Sequence, residues 1–483
     1  MSDLQVVMAV FVGYLLLLVV LALWSSGESK SVEGYYVAGK KLPFWVVAFS
    51  TNATGESGWL LLGLTGMGYA VGIHALWVVV GETIGVALVW MLIARRFKSE
   101  TDKYDSITVP DYFVSRFNDA RNILRFISVA VILCMTATYT AAQLVATGKA
   151  FSQFMPISYG WGVILGCVIT LFYTAIGGFK AVAYTDVVQG ILMLAALIVV
   201  PLVAIDSAGG WTAVTRGVAE IDAGMMDWMG EYGFTLPGFI AVVSFLAIGL
   251  PFLGVPQLLV RFISINSAAE VKKAGIISVV VILIFDLGAV LAGMAGRVLF
   301  PDLGDPELIM PTLSSELFPP IITGLMVVVI LAAIMSTVDS LFILASSAFT
   351  RDLIQKVLYP NLSDEQLAKL GKLITVIIGV GGALIALSGN RLIFWFVMFS
   401  WSGLGATFGP TVLCSLYWKK TTLWGVAAGM LGGFLTTVLW VLFFKESTYG
   451  LYEMVPGFIA GLLLTIIVSR LTHKNADGVQ ALV

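Results

Sequence analysis

Ser50-Thr51-Asn52-Ala53-Thr54-Gly55-Glu56-Ser57-Gly58 interrupts an apolar run that extends from about residue 43 to residue 72. Hydroxyls, an amide, a carboxylate and two glycines stand there in a stretch otherwise built to face hydrocarbon. A continuous helix gains nothing from them. An unwound segment does, because its freed carbonyls and hydroxyls coordinate a small cation while half-helix ends face a charged solute. A second interruption, Ile248-Gly249-Leu250-Pro251-Phe252-Leu253-Gly254-Val255-Pro256, lies in the run 235–260, five runs later. The odd offset reverses direction across a bilayer, so the two interruptions open two five-helix units of opposite topology, a sequence mark of a transport site.

The composition around these stretches fixes the solvent. Of 483 residues, 59% are hydrophobic and 12% charged, far outside soluble averages. Runs long enough to span fall near 5–24, 43–72, 74–94, 122–150, 158–177, 184–205, 235–260, 274–300, 320–350, 370–389, 392–417, 422–444 and 450–469. The expectation is an all-α polytopic membrane protein with about thirteen transmembrane helices. It divides into a first helix and inner loop (1–42), a transporter core (43–417), and two further helices with a short tail (418–483). The first run is expected to be retained as a helix: Asp3 stands where a leader would carry basic residues, and no small-residue cleavage site follows. The tail after Arg470 is too short for a soluble domain. A net charge of -2 offers no basic surface for nucleic acid. Cys134, Cys167 and Cys414 lie in apolar runs without disulfide or zinc spacing, and His74 and His473 sit at a run end and in the tail, so no enzyme centre is expected.

Basic residues set the orientation, since Lys and Arg collect in alternate loops on the cytoplasmic side. Twenty-two of the 27 fall on one side, Arg261 among them, counted in the loop after the seventh run. The other side has Lys149, Arg216, Arg297, Arg391 and Lys445. That arrangement puts the N-terminus outside and the C-terminus inside. The outer loops 206–234 and 301–319 are acidic and read as solvated. Pairs such as Gly81-x-x-x-Gly85 allow helix backbones to approach closely.

Carboxylates inside spans cost a few kcal/mol each and need a partner, water or an ion. Glu56, Glu82, Asp186, Asp286 and Asp339 are in that position. Ala333, Ser336, Thr337 and Ser340 follow at i, i+3, i+4 and i+7 along one helical face, with Asp339 at its edge. Hydroxyls and carbonyls in a row suit a hard cation that takes oxygen ligands, although each hydroxyl can also bond the carbonyl one turn back. Asp186 stands where the sixth run leaves the inner surface, which leaves capping of a helix start and ion relay both open.

Several stretches together resemble the sodium/solute symporter family, and within it the branch that carries proline. They are Ser57-Gly58-Trp59-Leu60-Leu61, Thr108-Val109-Pro110-Asp111-Tyr112-Phe113, Tyr173-Thr174-Ala175-Ile176-Gly177-Gly178-Phe179, Thr185-Asp186-Val187-Val188-Gln189, Ile330-Leu331-Ala332-Ala333-Ile334-Met335-Ser336-Thr337 and Phe408-Gly409-Pro410. The resemblance runs from about Tyr35 to Gly461. It implies a leucine-transporter-like fold of two inverted five-helix repeats plus flanking helices. It also implies sodium-driven alternating access in a bacterial cytoplasmic membrane, with the bilayer, sodium and a small solute as partners and no cofactor beyond the coupling ion. The family's sodium site maps onto Ala53, Glu56, Ala333, Ser336 and Thr337, and a second sodium or relay position onto Asp186, Asp339 and Ser340. Substrate positions map onto Asn52, Gly55, Ser57, Trp59, Tyr139, Ile248 and Phe252. The chain departs from the proline-carrying branch at Gly55, where that branch has Asp, and at Glu56, where it has Met. Ile248 and Phe252 likewise replace a Trp and a Tyr. Glu56 is thus open to two roles, sodium ligand or partner of a substrate amine, and Glu82 and Asp286 carry no assignment. The implied function is import of proline or another amino acid. Uptake of a different zwitterion or organic anion, and a transporter-like sensor, are the alternatives.

Overall fold

The computed structural model describes residues 2–388 and 393–479. Among them there is no strand, only an isolated bridge between Leu42 and Ile265. The main helices are α1 (Asp3–Ser25), α2 (Phe44–Gly58), α3 (Leu76–Leu88), α4 (Val109–Arg116), α5 (Ile123–Phe154), α6 (Tyr159–Ser207) and α7 (Leu236–Leu246). They continue with α8 (Pro256–Ser264), α9 (Val271–Leu299), α10 (Pro320–Ser347), α11 (Asp364–Leu387), α12 (Ile393–Tyr417), α13 (Leu423–Leu439) and α14 (Met454–Val479).

Ten helical stretches of the described residues are long and apolar enough to cross a membrane, against the thirteen expected. Two of the ten, Phe44–Lys103 and Tyr159–Ser207, are 60 and 49 residues long. Each exceeds the roughly 20 residues that cross a hydrocarbon core, and each is bent at glycines of positive φ, Gly72 (φ 60) and Gly178 (φ 61). The link between the tenth and eleventh runs, 389–392, lies outside the described residues.

The helices differ in which solvent they face. α1 buries the stripe Phe11, Tyr14, Leu18 and Ala22 against α6 and α10 and leaves Leu16, Val20 and Leu23 exposed to the lipid side. α10 is enclosed on all sides from Met326 to Ser347. A helix apolar all round belongs in a core, and α10 forms the axis on which α2, α5, α6 and α11 pack.

Both interruptions are present. The first is a single residue: Ser57 has φ 54 and ψ -168 inside α2, and the chain resumes as a wide π-type turn, Trp59–Leu64. The second is a 3-10 segment, Ala247–Leu253, held open by Pro251 and ended by Pro256 at the start of α8. α3 lies directly against it, because Gly81 and Gly85 have no side chain to collide with the backbone of Leu246 and Gly249.

Three readings change. Arg261 is not in a solvated inner loop: it is fully buried on α8. The acidic loop 206–234 contains an amphipathic helix, Trp211–Ile221, that buries Val214 and Val218. Asp186 does not cap a helix start, since it lies eight residues past the Gly178 bend, with no exposed surface.

Candidate functional site

α2 meets α10 through a set of oxygens. Ser336 Oγ donates to the carbonyls of Ala53 (2.8 Å) and Ala333 (2.9 Å), and Thr337 Oγ1 donates to the carbonyl of Thr54 (2.9 Å). Thr54 returns a bond from its hydroxyl to the Ser336 carbonyl at 3.0 Å. Four carbonyls (Ala53, Thr54, Ala333 and Ser336) and three hydroxyls (Thr54, Ser336 and Thr337) from the two helices thus converge next to the Ser57 break. Hydroxyl oxygens that donate here have lone pairs to turn toward a cation, so the set is convertible from a hydrogen-bonded lace to an oxygen cage. Back-bonding along α10 is present as well: Ser340 Oγ reaches the Ser336 carbonyl at 2.9 Å. Of the residues mapped to the sodium site, Ala53, Ala333, Ser336 and Thr337 come together in this way. Glu56 contributes differently, because its carbonyl accepts the N–H of Trp59 and its carboxylate points away from this face.

The second mapped set is occupied by a guanidinium. Arg261 Nη2 bonds Asp186 Oδ2 (2.8 Å), Thr54 Oγ1 and Ser340 Oγ (2.7 Å), its Nε bonds Ser50 Oγ (2.8 Å), and its Nη1 bonds the Gln257 carbonyl (2.6 Å). Ser50 also donates to Asp186 Oδ2 at 2.6 Å. Asp339 accepts from the Tyr173 hydroxyl at 2.7 Å and from Ser340 at 3.1 Å. Asp186, Asp339 and Ser340 are therefore neighbours, as the mapping implies, but Asp186 is already matched by a charge. Its other oxygen, Oδ1, has no hydrogen-bond partner among the described residues. Sequence reading missed Arg261 because its side-chain partners lie 75 to 211 positions away and it stands in the last turn of its helix, where many inner span ends carry a basic residue.

The mapped substrate positions surround the two breaks. Trp59, Tyr139, Ile248 and Phe252 are all buried, and Phe252 meets Trp401 edge to face with ring centroids 5.1 Å apart. The Trp401 indole donates to the Ile248 carbonyl at 3.1 Å, one of the carbonyls freed by the 3-10 segment. Gly55 explains Phe252: a Cβ on residue 55 would lie 2.8 Å from the phenylalanine ring. Asn52 donates to the Ser278 carbonyl at 2.8 Å and accepts from the Ser278 hydroxyl, tying α2 to α9. None of these residues is open to solvent.

A membrane bundle with two broken helices and an oxygen set between the first break and a buried axial helix has the make-up of a cation-coupled carrier. The chain belongs to the sodium:solute symporter family, whose model matches residues 35–433, and it is a multi-pass membrane transporter. It is 36% identical over 457 residues to the high-affinity proline transporter PutP of Bacillus subtilis, covering 94% of this chain and 95% of that one. To the osmoregulated proline transporter OpuE of the same organism it is 34% identical over 470 residues, with 96% and 94% covered. A sodium/proline symporter of Staphylococcus aureus is 34% identical over 480 residues, with 97% and 93% covered. Among solved structures, an outward-open, substrate-bound sodium-coupled sialic acid symporter superimposes with a TM-score of 0.81 at 19% identity, covering 96% of this chain and 98% of that one. A likeness at that identity speaks to the fold alone.

Proposed function

We propose that this chain imports a small amino acid, proline first, together with sodium by alternating access across a bacterial cytoplasmic membrane, its N-terminus outside and its C-terminus inside. The observation that carries this reading is the convergence of the Ala53, Thr54 and Ala333 carbonyls with the Ser336 and Thr337 hydroxyls beside the Ser57 break. An ion there would hold α2 and α10 together through ligands from both, and so would favour one arrangement of the break over the other. The solute would stack near Trp59 and Tyr139 and meet the polar backbone of residues 52–58 and 249–256. Each ligand shifts the balance of conformations only by its difference in affinity for them, so sodium and solute together drive the inward turn. No cofactor beyond the coupling ion takes part. The relatives named as proline transporters support the choice of solute.

The test is uptake of radiolabelled proline by proteoliposomes containing the purified chain, with and without an inward sodium gradient. Accumulation that requires the gradient is expected. Uptake of equal size without sodium would refute the coupling, and tight proline binding without uptake would make the chain a sensor.

A further inference from the structure

Three carboxylates meet on the side of α2 that faces away from α10. One oxygen each from Glu56, Glu82 and Asp286 lie within 4.8 Å of one another, and all three residues are buried, with at most 2% of their surface exposed. Both oxygens of Glu56, both of Asp286 and Oε2 of Glu82 accept no hydrogen bond from an N–H or hydroxyl donor among the described residues outside this trio. Buried polar atoms are normally paired, and a charge left without a counter-charge in such a place costs several kcal/mol. Three carboxylate oxygens brought together, one from each of three helices, therefore ask for a positive occupant.

The place is distinct from the hydroxyl face. Along α2, Asn52 and Glu56 stand at i and i+4 and look toward α9, where Asn52 bonds Ser278 and Glu56 meets Asp286. Ala53 and Thr54, by contrast, give their carbonyls to α10. Glu82 enters from α3, between the two glycines that press against the 3-10 break at 247–253. Glu56 itself immediately precedes Ser57. One occupant would thus touch the first broken helix, the helix seated on the second, and α9.

Charge and size narrow the occupant. A zwitterionic solute brings no net charge, and its ammonium alone offsets one of three carboxylates. A hard metal cation sits roughly 2.3–2.6 Å from each oxygen ligand, so ligand oxygens up to about 5 Å apart share it. The observed separations fall within that limit. Resting on the reading of the chain as a sodium symporter, we propose that Glu56, Glu82 and Asp286 hold a second sodium ion. Sodium there, with a substrate ammonium against the remaining oxygens, offsets two of the three charges and ties solute binding to both breaks.

Equilibrium binding of radioactive sodium to the purified full chain in nanodiscs at neutral pH tests this without any transport readout. The wild type should bind two ions. The isosteric double variant Glu82→Gln/Asp286→Asn should lose one of them, with at least about a tenfold weaker affinity for that class, and Ser336→Ala/Thr337→Ala should lose the other. Glu82→Asp, which keeps the charge, should retain two and so separates ligand loss from misfolding. Equal sodium binding by wild type and Glu82→Gln/Asp286→Asn would overturn the proposal, leaving the carboxylates to protons. Displacement of the carboxylate-dependent ion by calcium chloride at concentrations far below those of sodium would also overturn it. Neither outcome touches the proposed proline symport, which the proteoliposome assay judges separately.

Discussion

A guanidinium without exposed surface must satisfy its N–H groups inside the protein, and Arg261 does so on α2, α6 and α10 at once. Its removal would leave Asp186 as a buried charge without a counter-ion. Breaking a buried pair from one side costs about 3–5 kcal/mol, while replacing both members by neutral groups is often nearly harmless. Arg261→Ala should accordingly lower the unfolding temperature of the detergent-solubilised protein far more than Arg261→Met combined with Asp186→Asn. Equal losses would show that the ion pair is not what holds these helices. Ser57 poses the opposite problem, a non-glycine residue held at φ 54. Such a conformation costs on the order of 1–3 kcal/mol and persists where function requires it. Ser57→Gly should raise the unfolding temperature and Ser57→Val should lower it by about 1–2 kcal/mol equivalent; a stabilised valine variant would mean that the break relaxes into helix. At the residue scale, hydroxyls that recur at helical spacing, as in Ser336, Thr337 and Ser340 after Ala333, were legible as one polar face. It was not legible where partners are brought together only by folding, as for Arg261 with Asp186 or Glu82 with Asp286, because nothing local distinguishes a buried charge from one at a span end.

Hydropathy marks where a helix leaves the lipid, not where its hydrogen bonding stops. The ninth run ends near residue 350 by composition, yet helical turns continue through Ala348–Leu358 with Arg351 and Lys356 aboard. The tenth begins at Asp364, six residues early, behind a capping box of Ser363 and Gln366. Charged ends hid both extensions, while the apolar middles and both broken helices were plain. The hidden end of the ninth run has a task. Arg125 Nη1 on α5 bridges Asp111 (2.9 Å) and Asp352 (2.6 Å), Arg351 bonds Asp111 at 3.0 Å, and Thr108 donates to Asp352 at 3.0 Å. The Thr-Val-Pro-Asp stretch that opens α4 is thereby clamped to the continuation of the helix that bears the hydroxyl face. Burial pushes the Asp111 carboxyl up, but Arg351 and Arg125 outweigh it and hold the group below the usual carboxylate range. A depressed value contributes stability above the ordinary carboxylate pKa of about 4, and that contribution is lost as pH falls through the lower folded-state value. Unfolding temperature followed from neutral to acid pH should therefore fall less steeply on the acid side in Asp111→Asn than in the wild type, from a lower starting point. Parallel curves would place the acid sensitivity elsewhere.

At the scale of the whole molecule, the orientation rests on a sum of charges and so tolerates the relocation of any one of them. Moving Arg261 into the interior removes one basic residue from a side that carries 22 of the 27 in the sequence, and the bias stays large. The other side keeps the acidic segment between α6 and α7, where Trp211–Ile221 lies on the bundle with Glu220 exposed and Arg216 beside it. Reversal of the molecule would carry that acidic segment, and the direction of each broken helix, to the opposite compartment. Single cysteines in a cysteine-free background read the sidedness directly. Glu220→Cys should react with a membrane-impermeant maleimide in intact right-side-out vesicles. Lys419→Cys, just past α12, should react only after permeabilisation. The inverse pattern would overturn the orientation. Labelling of both positions without permeabilisation would place the segment between α6 and α7 and the one after α12 on the same side, and would break the inverted arrangement of the two five-helix units.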